Sequence, residues 1–205
     1  MLVKENSMEA NVIDQIEQAL VATGAVIDGV NDGQWALPTP CADWDTRSLV
    51  NHLVGGLRLF TAALNGTAAA DHDSDWLGTD PSAAWASAAA ADAIAWRTPG
   101  ALDATLEISL GSVPGPLGAI IHLTEIVVHG SDLAVATGQE HLLDSALIDD
   151  VLDSMKSMGI DAFRVPGVFG PELHCEPGEP AHVRLLAFLG RPIHELILSH
   201  ATAAC

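Results

Sequence analysis

Apolar residues recur at helical spacing along most of the chain, and polar or Pro/Gly-rich stretches separate the periodic segments. The first periodic segment covers residues 8–30 and ends at Asn31-Asp32-Gly33. The second follows Asp45, a residue type that favours the N-cap position, and ends at about Leu64. Apolar positions three and four residues apart predict an amphipathic helix in both segments.

Further helices are predicted downstream, with an irregular segment after the first of them. Residues 102–110 alternate between apolar and polar positions, which predicts a short strand or an extended crossover. The following GSVPGPLG at 111–118 is typical of a turn. The downstream helices are predicted over about 81–96, 116–137, 144–159 and 180–189.

The order of these elements predicts an all-α fold. Four long helices with one short crossover favour a four-helix bundle, to which a helical or irregular C-terminal tail is added. No repeat or low-complexity linker divides the chain. We therefore assign residues 1–160 to the bundle and residues 161–205 to a wrap with a short helix, packed on the same domain.

The long helix after residue 115 carries polar residues within an otherwise apolar sequence. His122, Glu125 and His129 are three and then four residues apart, so they share one side of a helix. Their neighbours are almost all aliphatic, and a helix that is apolar nearly all round is mostly buried. Burying a carboxylate with two imidazoles is costly unless they are paired, and a divalent metal would satisfy them together.

A further ligand has to come from another helix, and His52 is the best candidate. It lies among Leu49, Leu53 and Leu57 on the apolar side of the second helix. Two alternatives stay open from the residues alone. His52 is a hydrogen-bonded core histidine in one of them, and Glu125 and His129 form an internal helix salt bridge in the other.

Charge and composition exclude several classes of function. The chain has 8 Lys and Arg against 27 Asp and Glu, a formal net charge of −19, which disfavours binding to nucleic acid or to anionic membranes. A hydrophobic fraction of 49% indicates a folded protein despite this charge. Three cysteines without a CxxC motif, and no long uncharged apolar run, predict a cytoplasmic protein.

Three segments resemble a known family. They are TPCADWDTRSLVNHLVGG at 39–56, EIVVHGSDLAVATG at 125–138 and FGPELHCEPGEPAHVRLLAFLGRPI at 169–193. Together they are similar to the DinB-like family of the mycothiol-dependent maleylpyruvate isomerase N-terminal metal-binding domain, in particular to its short actinobacterial members. The resemblance covers roughly residues 9–193.

The resemblance implies a DinB-like bundle with a divalent metal in its core. The implied ligands are His52, Glu125 and His129, the same set that burial suggests. Zinc is the first expectation, with nickel or iron as alternatives. His122 lies outside this triad, as an extra ligand or a supporting group, and Asp132 is expected to hydrogen-bond a ligating histidine.

An open metal site with three protein ligands is typical of catalysis rather than of structure. The resemblance implies a mycothiol transferase or an isomerase-like enzyme that acts on a small-molecule substrate, with the thiol as cosubstrate. A metal-dependent hydrolase, with Glu125 or Asp132 assisting water, and a non-enzymatic metal- or ligand-binding module are the alternatives. A homodimer is expected, and no residue is assigned a catalytic role.

The anionic thiol would need local contacts, because the acidic protein does not attract it over distance. Arg58 and Trp44 are our candidates for cofactor binding, with Trp44 at the pocket entrance. Arg47 is a further cation to consider, and an ordinary surface ion pair is the alternative for both arginines. Cys41 is interpreted as a packing residue rather than a nucleophile.

Overall fold

Six helices and one small hairpin form the part of the chain that the computed structural model describes. That part is residues 2–41, 44–68, 71, 74–165, 168–176 and 178–193, with the backbone alone for residues 2–11. Three short 3-10 turns at Ala101–Asp103, Glu140–Leu142 and Asp161–Phe163 complete it. The helices are α1 (Leu2–Asp28), α2 (Thr46–Leu64), α3 (Pro81–Arg97), α4 (Gly115–Thr137), α5 (Ser145–Met158) and α6 (Ala181–Phe188), and the strands are β1 (Thr105–Ile108) and β2 (Gly111–Pro114).

The predicted all-α, DinB-like fold class is confirmed, and the helix ends follow local capping chemistry. The carboxylate of Asp45 accepts a hydrogen bond of 2.8 Å from the backbone N–H of Ser48, which caps α2. Gly138 ends α4 with a φ of 71°, the left-handed conformation that glycine adopts without strain. The largest difference is α1, whose backbone is helical from Leu2 rather than from residue 8.

The turn predicted over residues 111–118 was wrong, because β2 begins there and pairs with β1 as an antiparallel hairpin. Thr105 lies opposite Pro114, and Ile108 lies opposite Gly111. Strand β2 was not recognised because its sequence, Gly-Ser-Val-Pro, contains a single large apolar residue, Val113, and both ends are residue types that are rare in strands. Gly111 has a φ of 98°, so this glycine permits the tight turn.

Helix α4 lies at the centre of the helical core. It packs against α1 and α2, while α3 contacts α1 and α2 from the other side. By length and composition α4 is also apolar enough to cross a membrane, but 78% of its most apolar stretch is buried inside the protein. That burial is what the core helix of a folded bundle shows.

The segment after α5 packs on the outer side of α4. Helix α6 contacts both α4 and α5. The Arg164 side chain ties the irregular part down, since its Nη1 donates to the carbonyls of Gly170 and Phe188. Residues 194–205 of the predicted tail, and residues 69, 70, 72 and 73 of the predicted loop before α3, lie outside the described residues, and the division at residue 160 stays a prediction.

Two glycines, Gly115 at the start of α4 and Gly56 in α2, allow a matched test of how closely these helices pack against their surroundings. A Cβ on Gly115 would lie 2.5 Å from the backbone oxygen of Leu102, whereas a Cβ on Gly56 would meet nothing within 4 Å. We expect Gly115→Ala to lower the free energy of unfolding by about 1–3 kcal/mol, because backbone must shift. Gly56→Ala should raise it by about 0.5–1 kcal/mol, because alanine favours the helix. Urea unfolding measures both, and equal effects would contradict this account.

Candidate metal centre

Two helices bring three potential metal ligands to one point. His52 comes from the middle of α2, and Glu125 and His129 are one turn apart on α4. The Oε2 atom of Glu125 lies 3.5 Å from Nε2 of His52 and 3.4 Å from Nε2 of His129. One donor atom from each side chain falls within 4.8 Å of the other two. The structure thus places together the three residues that the sequence singled out.

The spacing and the chemistry of these donors fit a divalent ion. Around a tetrahedral ion with bonds of about 2.0–2.2 Å, neighbouring ligand atoms are about 3.3–3.6 Å apart. The two distances from Glu125 Oε2 fall in or near that range. Two imidazole nitrogens and one carboxylate oxygen are ligands that zinc, iron and nickel accept. The side chain of Glu125 is 45% exposed, so the point where the donors converge is open on one side.

Asp132 orients His129 from behind. Its Oδ2 lies 3.1 Å from Nδ1 of His129, and its side chain has no solvent exposure. A proton on Nδ1 satisfies this bond and directs the other ring nitrogen, Nε2, toward Glu125 and His52. A carboxylate behind a ligating histidine has this effect in many metal sites. The expected hydrogen bond between Asp132 and a candidate ligand is therefore confirmed, with the carboxylate as acceptor and the His129 ring N–H as donor.

Arg191 supports Asp132 in turn. Its Nε lies 3.2 Å from Oδ1 of Asp132, and only 9% of its side chain is exposed. Arg191 follows α6, so the C-terminal segment contributes to the histidine's surroundings. Sequence reasoning did not find this residue, because nothing in the linear pattern relates residue 191 to residue 132.

The carboxylates of Asp132 and Glu125 lie on either side of His129 and favour a positive charge there. Burial disfavours the imidazolium of His129, but hydrogen bonds to Asp132 and Glu125 outweigh that cost and raise its pKa to about 9. Partial loss of contact with water works against the ionised Glu125, yet the imidazoles of His129 and His52 hold its pKa well below the usual range. A proton or a metal cation can supply the charge that this cluster requires.

Trp44 covers the cluster on the side of the loop before α2. Its ring centroid is 4.3 Å from that of His52 and 5.5 Å from that of His129. Thr39 holds the loop in place, because its hydroxyl is within hydrogen-bond distance of the carbonyls of Cys41 and Trp44. Trp44 thus lies against the two histidines of the cluster, and its predicted place at the pocket entrance stays a prediction.

Cys41 lies closer to the site than its sequence context suggested. One atom each from Cys41, His129 and Asp132 also lie within 4.8 Å of one another. This second group is the weaker ligand set, because the Asp132 carboxylate is already engaged by His129 and Arg191. Sequence reasoning missed the proximity because the histidine beside Cys41 comes from a helix far along the chain.

His122 does not join the candidate ligands. Its Nε2 forms a hydrogen bond of 2.8 Å with Oδ2 of Asp92, and both side chains are buried between α4 and α3. Its ring packs against Phe60 and Trp96. The expectation of an extra ligand is therefore not met, since Asp92 occupies the ring nitrogen. A buried aspartate among the alanines of α3 was the signal that could have revealed this pair.

Arg58 and Arg47 also lie away from the cluster of candidate ligands. Arg58 is six residues beyond His52, a rotation of about 240° around the helix, and its guanidinium lies 4.8 Å from the ring centroid of Trp76. Arg47 forms an ion pair of 3.0 Å with Asp75. Trp44 therefore lies beside the cluster and Arg58 lies away from it, while the cofactor-binding role of each stays a prediction.

Comparison with known proteins identifies the family of the chain. The family described as Mycothiol maleylpyruvate isomerase N-terminal domain matches residues 16–134, a range that holds all three candidate ligands. Uncharacterised proteins of two Mycobacterium tuberculosis strains, CDC 1551 and H37Rv, are 33% identical over 178 residues, which is 86% of this chain and 96% of theirs. No solved structure matches the chain. The chain therefore belongs to the mycothiol maleylpyruvate isomerase N-terminal domain family.

Proposed function

We propose that the protein is a divalent-metal-dependent enzyme that joins a small thiol, mycothiol in the first instance, to an electrophilic small molecule, or isomerises such a molecule with the thiol's help. The observation that carries the proposal is the convergence of His52, Glu125 and His129 beside a cavity, in a chain of this family. Nε2 of each histidine and Oε2 of Glu125 would hold the ion, with zinc as our first choice and nickel or iron as alternatives.

A bound divalent ion would lower the pKa of a thiol and so favour the reactive thiolate at neutral pH. The chain supplies the surroundings for that chemistry. Asp132 keeps Nε2 of His129 directed to the ligand cluster, and Arg191 balances the charge of Asp132. Glu125 contributes one negative charge, so the ion keeps net positive charge toward an incoming anion.

Trp44 has a separate role in this proposal. Its indole lies over the two histidine rings at the edge of the cluster, where a thiol cosubstrate would approach. A flat apolar side chain at this place limits the access of water and offers a surface to the cosubstrate. We therefore propose Trp44 as a contact for mycothiol.

The test is a thiol-transfer assay on protein whose metal content has been measured. We expect the zinc-loaded protein to consume mycothiol with an uncharged aromatic electrophile such as 1-chloro-2,4-dinitrobenzene. Chelation should abolish turnover above the uncatalysed rate, and added zinc should restore it. Elemental analysis of protein purified without chelators gives the metal content per chain.

Two results would argue against this function. A protein that stays well below stoichiometric metal even after incubation with zinc, nickel or iron has no such site. A protein that binds metal and hydrolyses esters or amides without any thiol is a metal-dependent hydrolase, which is the alternative enzyme class. Urea-unfolded protein with the same zinc content is the control for catalysis by the metal alone.

A further inference from the structure

A cavity of about 260 Å³ adjoins the ligand cluster. Helices α2, α4 and α5 form its walls, and the hairpin turn and the segment after α5 form its outer edge. His52 and Glu125 are among its lining residues, so the cavity and the candidate metal centre are continuous. Any molecule held in the cavity would therefore lie next to the proposed ion.

The lining of this cavity is almost entirely hydrocarbon. Its polar members in the described part of the chain are His52, Ser109, His122, Thr124 and Glu125. No Lys or Arg is present among the described lining residues, and the one carboxylate there belongs to Glu125. A carboxylate or phosphate group in this cavity would meet no compensating cation of the protein and would lose its hydration, which is costly.

The mouth of the cavity is also apolar. Leu110 in the hairpin turn is 58% exposed although it lines the cavity. The same holds for Met158 at the end of α5 and for Phe163 and Val168 in the following segment. Each is exposed to solvent and also lines the cavity. Three separate segments thus present large apolar side chains to solvent around one opening. Contiguous exposed apolar surface of this kind marks a ligand-binding site more often than a scattered residue does.

The volume of the cavity limits the size of its occupant. A cavity of about 150 Å³ lined by aliphatic and aromatic side chains stays dry and takes up benzene. The larger cavity here has room for one substituted aromatic ring or a branched aliphatic chain of similar size. Exclusion of water by such an occupant would also strengthen the electrostatic effects at the adjoining ligand cluster.

We propose that this cavity binds an uncharged, apolar small molecule, aromatic or branched aliphatic, and that this molecule is the electrophilic substrate. The second half of the statement rests on the function proposed above, whereas the first half concerns binding alone. A substrate with two charged groups fits this cavity poorly, because the described lining residues include no Lys or Arg and the proposed ion lies beside one part of the cavity only.

Two single-ring probes that differ in one substituent test the preference for neutral ligands, with fluorine NMR as the measurement of binding. 4-Fluorotoluene is uncharged, and 4-fluorobenzenesulfonate carries one negative charge. We expect the neutral probe to bind at least about tenfold more tightly to chelated protein, in which no bound cation attracts the sulfonate. Equal affinities, tighter binding of the sulfonate, or no binding of either probe would overturn the inference.

A cavity-filling variant shows whether the probe occupies this cavity. Gly56 lines it, and a Cβ at Gly56 would meet no atom within 4 Å, so Gly56→Leu projects a side chain into the open volume. We expect the neutral probe to bind about tenfold or more weakly to this variant. Ala90→Leu adds the same side chain on the exposed face of α3 and should leave binding unchanged. Unchanged affinity in Gly56→Leu would show that the probe binds elsewhere.

A second variant keeps the test independent of core packing. Leu110→Lys places a cation at the mouth, and the exposure of Leu110 makes a folding defect unexpected. The affinity ratio of the two probes should move toward the sulfonate by about tenfold, because the added charge attracts the anion and removes apolar surface. An unaltered ratio would mean that Leu110 does not border the place where the probes bind.

The two proposals fail in different ways. Zinc bound at one equivalent, without binding of the neutral probe, refutes the apolar cavity and leaves the metal centre intact. Probe binding that Gly56→Leu abolishes, in a protein that takes up no metal, refutes the metal-dependent function and leaves the apolar ligand site. Measuring probe affinity before and after chelation on the same preparation separates these outcomes.

Discussion

His129→Ala is expected to remove the bound metal while the helical fold is kept. The substitution deletes the ligand atom nearest to Glu125, at 3.4 Å, and leaves only two protein donors. Loss of a group that merely orients a ligand weakens metal binding by about 10–100-fold, so the loss of a ligand itself should exceed the upper end of that range. Zinc competition against a chelating dye gives the affinity, and elemental analysis gives the content per chain.

The helix should tolerate this change, because alanine is the best helix former and α4 has packing partners on both sides. Far-ultraviolet circular dichroism of the variant should match that of the parent. Addition of zinc should raise the unfolding temperature of the parent and not of the variant, since only a ligand bound to the native state stabilises it.

The matched control is His141→Ala, which removes an exposed histidine of the short turn at Glu140–Leu142. It should keep full metal content and the full effect of zinc on unfolding. A His129→Ala protein that still holds one equivalent of zinc would falsify the proposed ligand set. A His129→Ala protein that unfolds altogether would assign the residue a structural role instead.

The sequence predicts the helical part of this fold well because its signals are local. The Asp45 cap and the left-handed Gly138 each act through neighbouring backbone groups, so they can be recognised from the local sequence alone. The hairpin was only half predicted, since β2 exists through its pairing with β1 rather than through its own propensity.

The candidate site likewise has a part that local sequence predicts and a part that depends on tertiary packing. Glu125 and His129 were identifiable because a helix places residues four apart on one side, and their apolar neighbours implied burial. The arrival of His52 at the same point depends on how α2 packs against α4. Its apolar context made it the best candidate for a further ligand, and the family resemblance implied the same residue. Arg58 as a cofactor contact stays a prediction, and the six residues of helix between it and His52 rotate it away from the ligand cluster.

The surroundings of the site were beyond sequence reasoning for a physical reason. Cys41 and Arg191 are brought to His129 and Asp132 by tertiary packing of a loop and of the segment after α6. Neither position carries a local pattern that reports its partner. The pairing of His122 with Asp92 is similar, since each residue is exceptional in its own helix but only the assembly of the whole bundle brings the two side chains together.

Asp132→Asn is expected to destabilise the protein more than any exposed charge change. The carboxylate is fully buried and holds His129 on one oxygen and Arg191 on the other. Removal of its charge leaves Arg191, itself 9% exposed, as a buried cation without its counter-charge. Breaking one partner of a buried ion pair costs about 3–5 kcal/mol, which urea unfolding of the metal-free variant would measure.

The same substitution should weaken zinc binding by about 10–100-fold, because the amide no longer fixes the ring of His129 as a carboxylate does. Asp149→Asn is the matched control, since it removes the charge that pairs with Arg184 at a partly exposed position on α5. It should cost about 0–1 kcal/mol and leave zinc affinity unchanged.

A second substitution separates the two roles of Asp132. In the double variant Asp132→Asn with Arg191→Met, the buried cation is gone, so most of the lost stability should return. The zinc affinity should stay low, because the missing carboxylate behind His129 is not replaced. Recovery of both properties together would mean that Asp132 acts on the metal centre only through the stability of the fold, whereas recovery of stability alone assigns it the positioning of His129.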